Sequence, residues 1–303
     1  MAVIATGFFD GVHPGHRLVI ETLLSEAGAR GEQSLVVTFW PHPRAVLQSG
    51  ADSLRYLTSR AERIDMLRAL GVDGVETIPF TREFASLSAA QYLKMLCRDF
   101  QCSALVLGYD TRFGAEQAGP EEIAALAAGM GLDAVIAPPV CVDGAPVSST
   151  RIRAALEAGD VALATRLLGR PYRLHGVVVP GNRLGRTIGF PTANMKLYEP
   201  LMLVPKNGVY QTHVVPGDPS SVILTGAKRS GRIFTGLTNI GVRPTVSDQK
   251  VLTIETYILD FDEMIYGLDL TVDFISRIRD ERRFGSLDEL RSQLCADAAI
   301  IRG

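Results

Sequence analysis

Apolar positions in the first half of the chain form short runs that alternate with longer stretches in which apolar residues recur at helical spacing. The short runs are rich in β-branched residues, which is typical of strands buried on both faces of a parallel sheet. The longer stretches end at glycine, a common helix stop signal. The short runs are AVIAT, SLVVTFW, GVETIPF, ALVLG and LDAVIAP. This alternation predicts a doubly wound, Rossmann-like α/β domain, whose ligands bind beyond the carboxyl ends of the strands.

From Tyr172 onward the pattern is strand after strand, separated by glycine, proline, asparagine and aspartate. This pattern predicts a small antiparallel barrel or sandwich, and we favour the barrel. One helix closes the chain, with Ser286 as its N-cap and Glu289 as the capping-box partner. We therefore predict an α/β plus β architecture. The N-terminal α/β domain spans residues 1–166, and the C-terminal β-barrel with its terminal helix spans residues 167–303.

The composition is that of a globular protein of two ordinary domains, with 303 residues, 47% hydrophobic content and a net charge of -2. Basic residues do not form a block, so no nucleic-acid partner is expected. Four cysteines without C-x-x-C spacing argue against a zinc site or a disulfide framework and favour a reducing compartment. Without a signal peptide or a run of about 18 apolar residues, we expect a cytoplasmic protein with no membrane partner. Oligomerisation is possible, but no feature of the sequence indicates it.

The first strand runs into the motif GFFDGVHPGH. Gly7 should end the strand, where the missing Cβ lets a ligand approach the backbone. A helix is expected to begin near Pro14, with His13 at its N-terminus and His16 one turn further on the same face. Two imidazoles, free N–H groups and the helix dipole together predict a cradle for phosphate, and Gly15 keeps its floor clear. The alternative is a capping histidine beside a packed one.

VSSTRIR is a second motif that predicts anion binding. Ser148, Ser149 and Thr150 precede a predicted helix and can cap it. Arg151 and Arg153 follow in the first turn, where a cation opposes the helix dipole. Two arginines in that position indicate that an anion binds there. The alternative is a capped helix with solvated arginines.

The second half contains the stretch GNRLGRTIGFPTANM. Gly181, Gly185 and Gly189 recur at intervals of four, and the proline that follows them excludes a helix. The stretch therefore predicts a glycine-rich loop, with Arg186 inside it, whose backbone N–H groups can wrap a triphosphate. The alternative is a tight turn of an all-β domain.

Three side chains near this loop could complete a phosphate site. Thr192 and Asn194 alternate on an extended segment, so both face one side. A hydroxyl and an amide oxygen are hard ligands suited to Mg²⁺, although they could also form a polar turn. Glu255 interrupts the strand VLTIETYILDF. It could take the proton of an attacking hydroxyl, or it could be a solvated strand residue.

Taken together, these motifs resemble a known enzyme family over nearly the whole chain. GFFDGVHPGH, TFWPHPR, GYDTRFG and VSSTRIR, followed by LLGRPY, are similar to the adenylyltransferase module of bacterial bifunctional riboflavin kinase/FAD synthetases. That module belongs to the HxGH nucleotidyltransferases. GRTIGFPTAN, PKNGVY, TNIGVRPT, ETYILDF, IYG and RFGSLDEL are similar to the riboflavin kinase module of the same family.

For the N-terminal module, the resemblance implies transfer of the adenylyl group of ATP to FMN, with release of FAD and of pyrophosphate with Mg²⁺. His13 and His16 would steady the transition state, while Thr150 and Arg153 would hold the β- and γ-phosphates. Residues implied on the nucleotide side are Gly7, Phe8, Asp10, Gly15 and Ser149. Residues implied on the flavin side are Pro41, His42, Asp110 and Phe113.

For the C-terminal module, the resemblance implies transfer of the γ-phosphoryl group of ATP to the ribityl 5′-hydroxyl of riboflavin. Glu255 would be the general base, and Thr192 with Asn194 would hold Mg²⁺ and phosphate. The glycine-rich loop of Gly181, Gly185, Arg186 and Gly189 would cover ATP. The flavin would be bordered by Asn239, Arg243 and Thr245. Riboflavin, FMN, FAD and ATP are thus the expected small-molecule ligands.

Two alternatives to a fully bifunctional enzyme remain. The stretch AEQAG follows GYDTRFG where the family usually has basic or amide-bearing residues. This departure leaves open an active kinase whose N-terminal domain is a weak or differently specific transferase. The other alternative is a non-catalytic flavin-binding protein. The presence of His13, His16, Thr192, Asn194 and Glu255 in the right local contexts argues against it.

Overall fold

A parallel sheet forms the centre of the first of two compact units, Met1–Ser149 and Thr150–Gly303, in this computed structural model. The structure describes residues 1–47, 54–181, 185, 188–217, 232–244 and 250–302. Within the described part of the first unit, the sheet has five strands in the order β3-β2-β1-β4-β5, with parallel neighbours throughout. The strands are β1 Ala2–Thr6, β2 Gln33–Trp40, β3 Gly74–Pro79, β4 Cys102–Gly108 and β5 Asp133–Ala137. The predicted doubly wound α/β fold is confirmed.

Helices cover both faces of this sheet because successive strand residues point to opposite sides. Val3 on β1 belongs to one buried cluster, and Ile4 belongs to the other. The first cluster includes residues of α1 and α3, and the second includes residues of α5 and α6. The helices are α1 Pro14–Arg30, α2 Pro43–Leu47, α3 Arg60–Arg68, α4 Arg82–Ala85, α5 Ala89–Phe100 and α6 Pro120–Gly129. A small hairpin of β6 Cys141–Val142 and β7 Ala145–Pro146 follows β5.

The second unit is built around a closed antiparallel barrel, with the strand order β10-β11-β12-β9-β8-β13 among the described residues. The prediction of a barrel is therefore confirmed. Its strands are β8 Tyr172–Val179, β9 Thr192–Leu197, β10 Gly208–Pro216, β11 Phe234–Pro244, β12 Lys250–Ile258 and β13 Asp269–Arg279. The helices of this part of the chain are α7 Ser149–Ala158, α8 Val161–Leu168 and the terminal α9 Leu287–Arg302.

The inside of the barrel contains a row of threonines on three adjacent strands. Thr212, Thr238 and Thr256 are fully buried, and neighbouring hydroxyl oxygens in the row lie 2.9 Å apart. Because each hydroxyl can both donate and accept, every hydroxyl of the row has a hydrogen-bond partner within the row. Side chains alternate along a strand, so the next residues, Asn239 and Glu255, point to the outer surface of the barrel.

The terminal helix begins at Leu287 and is capped as predicted by Ser286, whose Oγ accepts a hydrogen bond from the Glu289 N–H at 3.2 Å. The Glu289 carboxylate accepts a hydrogen bond from the Gly285 N–H at 2.9 Å, one residue before the cap. The reciprocal half of the capping box is therefore displaced by one residue. Among the described residues, no helix combines the length and the apolar character needed to cross a bilayer.

Candidate active sites

The two histidines of HPGH meet at the N-terminus of α1, which begins at Pro14 as predicted. His13 is the N-cap, and its Nδ1 accepts a hydrogen bond from the backbone N–H of His16 at 3.4 Å. The two rings are stacked with 3.6 Å between their centroids. A Cβ on Gly15 would lie 3.2 Å from the His13 ring, so a larger residue there would disturb the pair. The imidazoles and the helix N-terminus therefore lie together, as the phosphate-cradle prediction requires.

The surroundings of His16 keep its imidazole neutral in the free protein. Burial, the neighbouring His13 and the charge of Arg63 lower the pKa of His16 well below its ordinary value of 6.5. The Nδ1 atom of His16 is buried and has no hydrogen-bond partner within the described ranges. A buried ring nitrogen without a partner is costly unless a ligand or water satisfies it.

The turn between β1 and α1 holds an unusual backbone conformation. Phe9 and Val12 have φ angles of 55° and 41°, in the left-handed region that β-branched residues rarely adopt. Asp10 holds this turn in place, because its buried carboxylate accepts hydrogen bonds at 3.1 Å from the N–H groups of Leu57 and Thr58. Strain of about 1–3 kcal/mol per residue is typical of functional sites. Nothing in the sequence pattern predicts it.

The motif VSSTRIR is linked to this turn through its second serine. Ser149 is the first residue of α7, and its Oγ donates a hydrogen bond to the backbone carbonyl oxygen of Asp10 at 3.0 Å. The link places one predicted nucleotide-side residue beside another. Thr150 and Arg153 belong to the second compact unit, and their phosphate-binding roles stay predictions.

Aromatic rings surround the predicted flavin side at the ends of β1 and β2. The His42 ring centroid lies 4.2 Å from that of Phe8, and Trp40 and Tyr56 are 5.3 Å apart. The guanidinium carbon of Arg63 lies 3.9 Å from the centroid of the Phe8 ring. Sequence reasoning missed Tyr56 and Arg63. Arg63 precedes the buried Leu67 by one helical turn on α3, and that spacing could have placed it on the buried face.

The motif GYDTRFG follows β4, which is paired with β1 in the sheet. Asp110 is exposed, while the Phe113 ring packs against Tyr92 with 5.1 Å between centroids. The Thr111 hydroxyl accepts a hydrogen bond from the Gly108 N–H at 2.8 Å and fixes the turn. Asp110 and Phe113 therefore follow the carboxyl end of a strand next to β1, where ligands of such sheets bind.

In the second unit, three predicted site residues form a row across neighbouring strands. Asn194 on β9 is paired with Glu255 on β12, which is in turn paired with Asn239 on β11. Directly opposite residues of antiparallel strands place their side chains on the same face. All three line a cavity of about 230 Å³ on the outer side of the barrel, together with Thr192. The structure thus brings together residues that are more than sixty positions apart in the sequence.

Glycines allow close packing next to Asn194 and next to the backbone of Phe190. A Cβ at Gly181 would overlap the amide of Asn194, and a Cβ at Gly185 would overlap the carbonyl oxygen of Phe190. Gly189 has a φ of 83°, which other residues rarely adopt. The predicted residues Arg186 and Thr245 lie outside the described residues. Arg243 is described as part of β11, but its side chain is not described.

Thr192 also lines a second cavity, of about 330 Å³, on the other side of β9. Residues 261–266, between β12 and β13, form much of its wall. Two cavities that share Thr192 provide space for two ligands whose reactive ends could meet at this residue. The sequence motif IYG, which includes Ile265 and Tyr266, falls in this wall.

The far wall of the 230 Å³ cavity comes from the end of β13, from the residues that follow it and from α9. It contributes both apolar and charged side chains. They are Arg279, Glu281, Arg282, Phe284, Leu290 and Leu294. Asp297 of α9 is fully buried and accepts hydrogen bonds from Arg279, with 2.7 Å between Arg279 Nη2 and Asp297 Oδ2. This ion pair fixes α9 against the end of β13.

We expect Asp297→Asn to lower the free energy of unfolding of the second unit by about 3 kcal/mol, because a buried ion pair loses one charge. The KM for the ligand of the 230 Å³ cavity should rise as α9 loosens. Chemical denaturation and steady-state kinetics measure the two effects. Asp288→Asn, an exposed change on the same helix, should alter stability by less than about 0.5 kcal/mol. Equal stability of the two variants would contradict this role for Asp297.

Comparison with known proteins identifies both domains. Residues 1–151 match the family model described as FAD synthetase, and residues 168–303 match the one described as riboflavin kinase. The bifunctional riboflavin kinase/FMN adenylyltransferase of Listeria monocytogenes serovar 1/2a is 35% identical over 97% of this chain and 90% of that protein. The protein of the same name from Escherichia coli strain K12 is 37% identical over 99% of this chain and 91% of that protein.

A solved structure described as a macrolide-efflux protein from Streptococcus pneumoniae has the same fold. It is 31% identical to this chain and superposes with a TM-score of 0.89, over 100% of this chain and 94% of that one. Both family models and the full-length relatives confirm the resemblance derived from the motifs. The chain belongs to the family of bifunctional riboflavin kinase/FMN adenylyltransferases.

Proposed function

We propose that this enzyme makes FAD from riboflavin in two ATP-dependent steps, one in each domain. Residues 167–303 phosphorylate riboflavin to FMN, and residues 1–166 adenylylate FMN to FAD. The observation that carries this proposal is that the paired histidines lie in the first unit and the predicted kinase residues lie in the second. His13 and His16 stack at a helix N-terminus, while Asn194, Glu255 and Asn239 line one cavity.

In the kinase step, the Glu255 carboxylate takes the proton of the ribityl 5′-hydroxyl as its oxygen attacks the γ-phosphorus of ATP. The bond to the β,γ-bridging oxygen breaks, and ADP leaves. Asn194 and Asn239 flank Glu255 in the row across the strands and can orient the carboxylate and the hydroxyl. Phosphoryl transfer depends mainly on such positioning, because little covalent chemistry is left for the protein to do.

The two cavities that share Thr192 suggest where the two substrates lie. The 230 Å³ cavity contains Glu255 and has apolar walls from Leu237 and Leu290, which suit the flavin ring system. The 330 Å³ cavity lies on the other side of β9 and would take the nucleotide, with its γ-phosphate directed to Thr192. This arrangement puts the phosphate and the flavin hydroxyl on either side of one strand end.

Mg²⁺ fits the donor set that Thr192 and Asn194 provide. Their hydroxyl and amide line the same cavity as the Glu255 carboxylate, and a Cβ at Gly181 would fill the space beside Asn194. Nowhere in the described ranges do three or more His, Cys, Asp or Glu residues form a group that could hold a metal. A partial set of oxygen donors suits a cation that keeps waters and substrate phosphates as ligands. When bound, Mg²⁺ would neutralise charge on the triphosphate.

In the adenylylation step, a phosphate oxygen of FMN attacks the α-phosphorus of ATP. The bond between the α-phosphorus and the leaving oxygen breaks, and pyrophosphate departs with the electron pair. His13 and His16 lie where they can stabilise the charge that develops on the transferred group, and no covalent intermediate is needed. Thr150 and Arg153 would hold the β- and γ-phosphates.

The proposal is tested by incubating the purified protein with riboflavin and MgATP alone and separating the flavins by chromatography. We expect FMN to appear first and FAD to follow. FMN without FAD would indicate that the N-terminal domain is a weak or differently specific transferase. Unchanged riboflavin would indicate a non-catalytic flavin-binding protein and would overturn the proposal.

A further inference from the structure

A fully buried arginine in the first unit has no role in the reaction described so far. Arg63 of α3 is 0% exposed, and within the described ranges its Nε and Nη1 atoms have no hydrogen-bond partner. Its Nη2 reaches only the carbonyl oxygen of Phe39, at 3.5 Å. An arginine carries five N–H donors, and a charged side chain is almost never fully buried without partners. The described residues therefore compensate the positive charge of Arg63 only in part, and an anion could compensate the rest.

The guanidinium group lies within reach of predicted site residues. It covers one face of the Phe8 ring at 3.9 Å and lies 5.7 Å from the Trp40 ring. The Asp10 carboxylate interacts with its charge, but it also accepts hydrogen bonds from Leu57 and Thr58. Burial lowers the pKa of Arg63 to about 10, so the group stays charged at neutral pH.

The charge of Arg63 also acts on His16, which belongs to the proposed adenylyltransferase site. After burial and His13, it is the third cause that lowers the pKa of His16. His16 Nδ1 and two nitrogens of Arg63 are all buried without hydrogen-bond partners in the described part of the chain. Two polar side chains in one region are thus left short of partners. An arriving anion would compensate the charge of Arg63 through space, and this attraction is strong where little water screens the charges.

We propose that Arg63 is a positioning residue for the flavin nucleotide, whose phosphate monoester binds beside His16 and compensates the buried guanidinium charge. This inference rests on the proposed adenylyltransferase function. Phe8 itself was predicted on the nucleotide side. We assign the phosphate to FMN because Arg63 also lies 5.7 Å from the ring of Trp40, which immediately precedes Pro41 of the predicted flavin side, and because the Phe8 ring packs on His42 of that side. Arg63 acts through space and through Phe8, since it has no exposed surface that could touch a ligand.

The test measures FAD formation by Arg63→Met and Arg63→Lys with either FMN or MgATP as the varied substrate. We expect Arg63→Met to lower kcat/KM for FMN about tenfold, and Arg63→Lys to stay within about threefold of wild type because the charge is kept. The KM for ATP should change by less than about twofold in both variants. Arg60→Met, an exposed change one turn earlier on the same helix, should leave FAD formation unaltered.

Riboflavin phosphorylation by the same samples reports on the second unit only, since the kinase residues lie there, so circular dichroism and thermal unfolding of each variant check that the first unit is folded. If Arg63→Met proves insoluble, Arg63→Gln removes the charge while keeping a polar side chain, and the same loss is expected. An unchanged kcat/KM for FMN, an equal loss in Arg63→Lys, or a loss confined to the KM for ATP would each overturn the proposal. A wild-type protein that makes no FAD at all would refute the proposed function instead.

Discussion

Replacing Glu255 by glutamine is expected to slow riboflavin phosphorylation at least about a hundredfold, because the proposed general base would lose the carboxylate that takes the hydroxyl proton. Glutamine keeps the size of the side chain and its place opposite Asn194 and Asn239, so the cavity should stay intact. Conversion of supplied FMN to FAD should remain within about twofold of wild type, because His13 and His16 lie in the other unit. Initial rates with riboflavin and with FMN, each with MgATP, measure the two activities separately.

Glu281→Gln is the matched control for this change. Glu281 lines the same 230 Å³ cavity, but it lies beyond β13 and outside the row of paired strand residues. Its substitution removes the same charge from the cavity and should lower the rate of riboflavin phosphorylation by less than about tenfold. Equal losses in the two variants would mean that the cavity needs negative charge in general, and Glu255 would not be the base.

Replacing His16 by alanine is expected to reduce FAD formation from FMN by about 10²–10³-fold, a loss typical of removing one transition-state donor. The N-cap of α1 should survive, because the hydrogen bond to His13 Nδ1 comes from the backbone N–H of residue 16 and not from its side chain. Riboflavin phosphorylation should be unchanged. Steady-state rates of FAD and FMN formation check both statements.

The control for His16→Ala is His213→Ala, an exposed histidine on β10 of the second unit. This change should leave FAD formation within about twofold of wild type. If His16→Ala also abolished riboflavin phosphorylation in a folded protein, the assignment of one reaction to each domain would be wrong.

The fold class followed from local patterns that each strand and helix carries in its own sequence. The short apolar runs of the first half indicated buried parallel strands, and the structure confirms a sheet whose two faces are both covered. The choice between barrel and sandwich was less secure, because it depends on whether β10 pairs with both β11 and β13. That pairing closes the barrel and is a property of the whole domain.

The row formed by Asn194, Glu255 and Asn239 could not be derived from spacing alone. A shift of one residue in the register between β9 and β12 would place Glu255 and Asn194 on opposite faces of the sheet. Tertiary pairing sets that register over a separation of about sixty residues, which no local motif encodes. Asn194 and Glu255 were candidates from their own chemistry, Asn239 came from the family resemblance, and the strand register explains why the three lie side by side.

Arg63 was missed for a different reason. Helical spacing places it one turn before Leu67 on the buried face, but an arginine in a charged segment such as RAERID normally indicates a solvated position. Its burial depends on the Phe8 ring, which follows β1, and on the end of β2, both remote in sequence. The left-handed backbone of Phe9 and Val12 could not be predicted either, because neither phenylalanine nor valine favours a positive φ.

The departure AEQAG has a structural explanation. The Glu116 carboxylate accepts a hydrogen bond from the Ala89 N–H at 2.8 Å, at the first residue of α5. A Cβ at Gly114 would overlap the same backbone, so the loop packs closely on the start of this helix. Glu116 thus stabilises the loop against the start of α5.

The claim that two separate sites act in sequence is tested most directly by mixing two full-length variants, each of which has lost one of the two activities. Glu255→Gln alone should leave riboflavin largely unchanged, and His16→Ala alone should stop at FMN. An equimolar mixture with riboflavin and MgATP should make FAD, because FMN released by one variant is the substrate of the other. No FAD in the mixture, with both variants folded, would contradict the account.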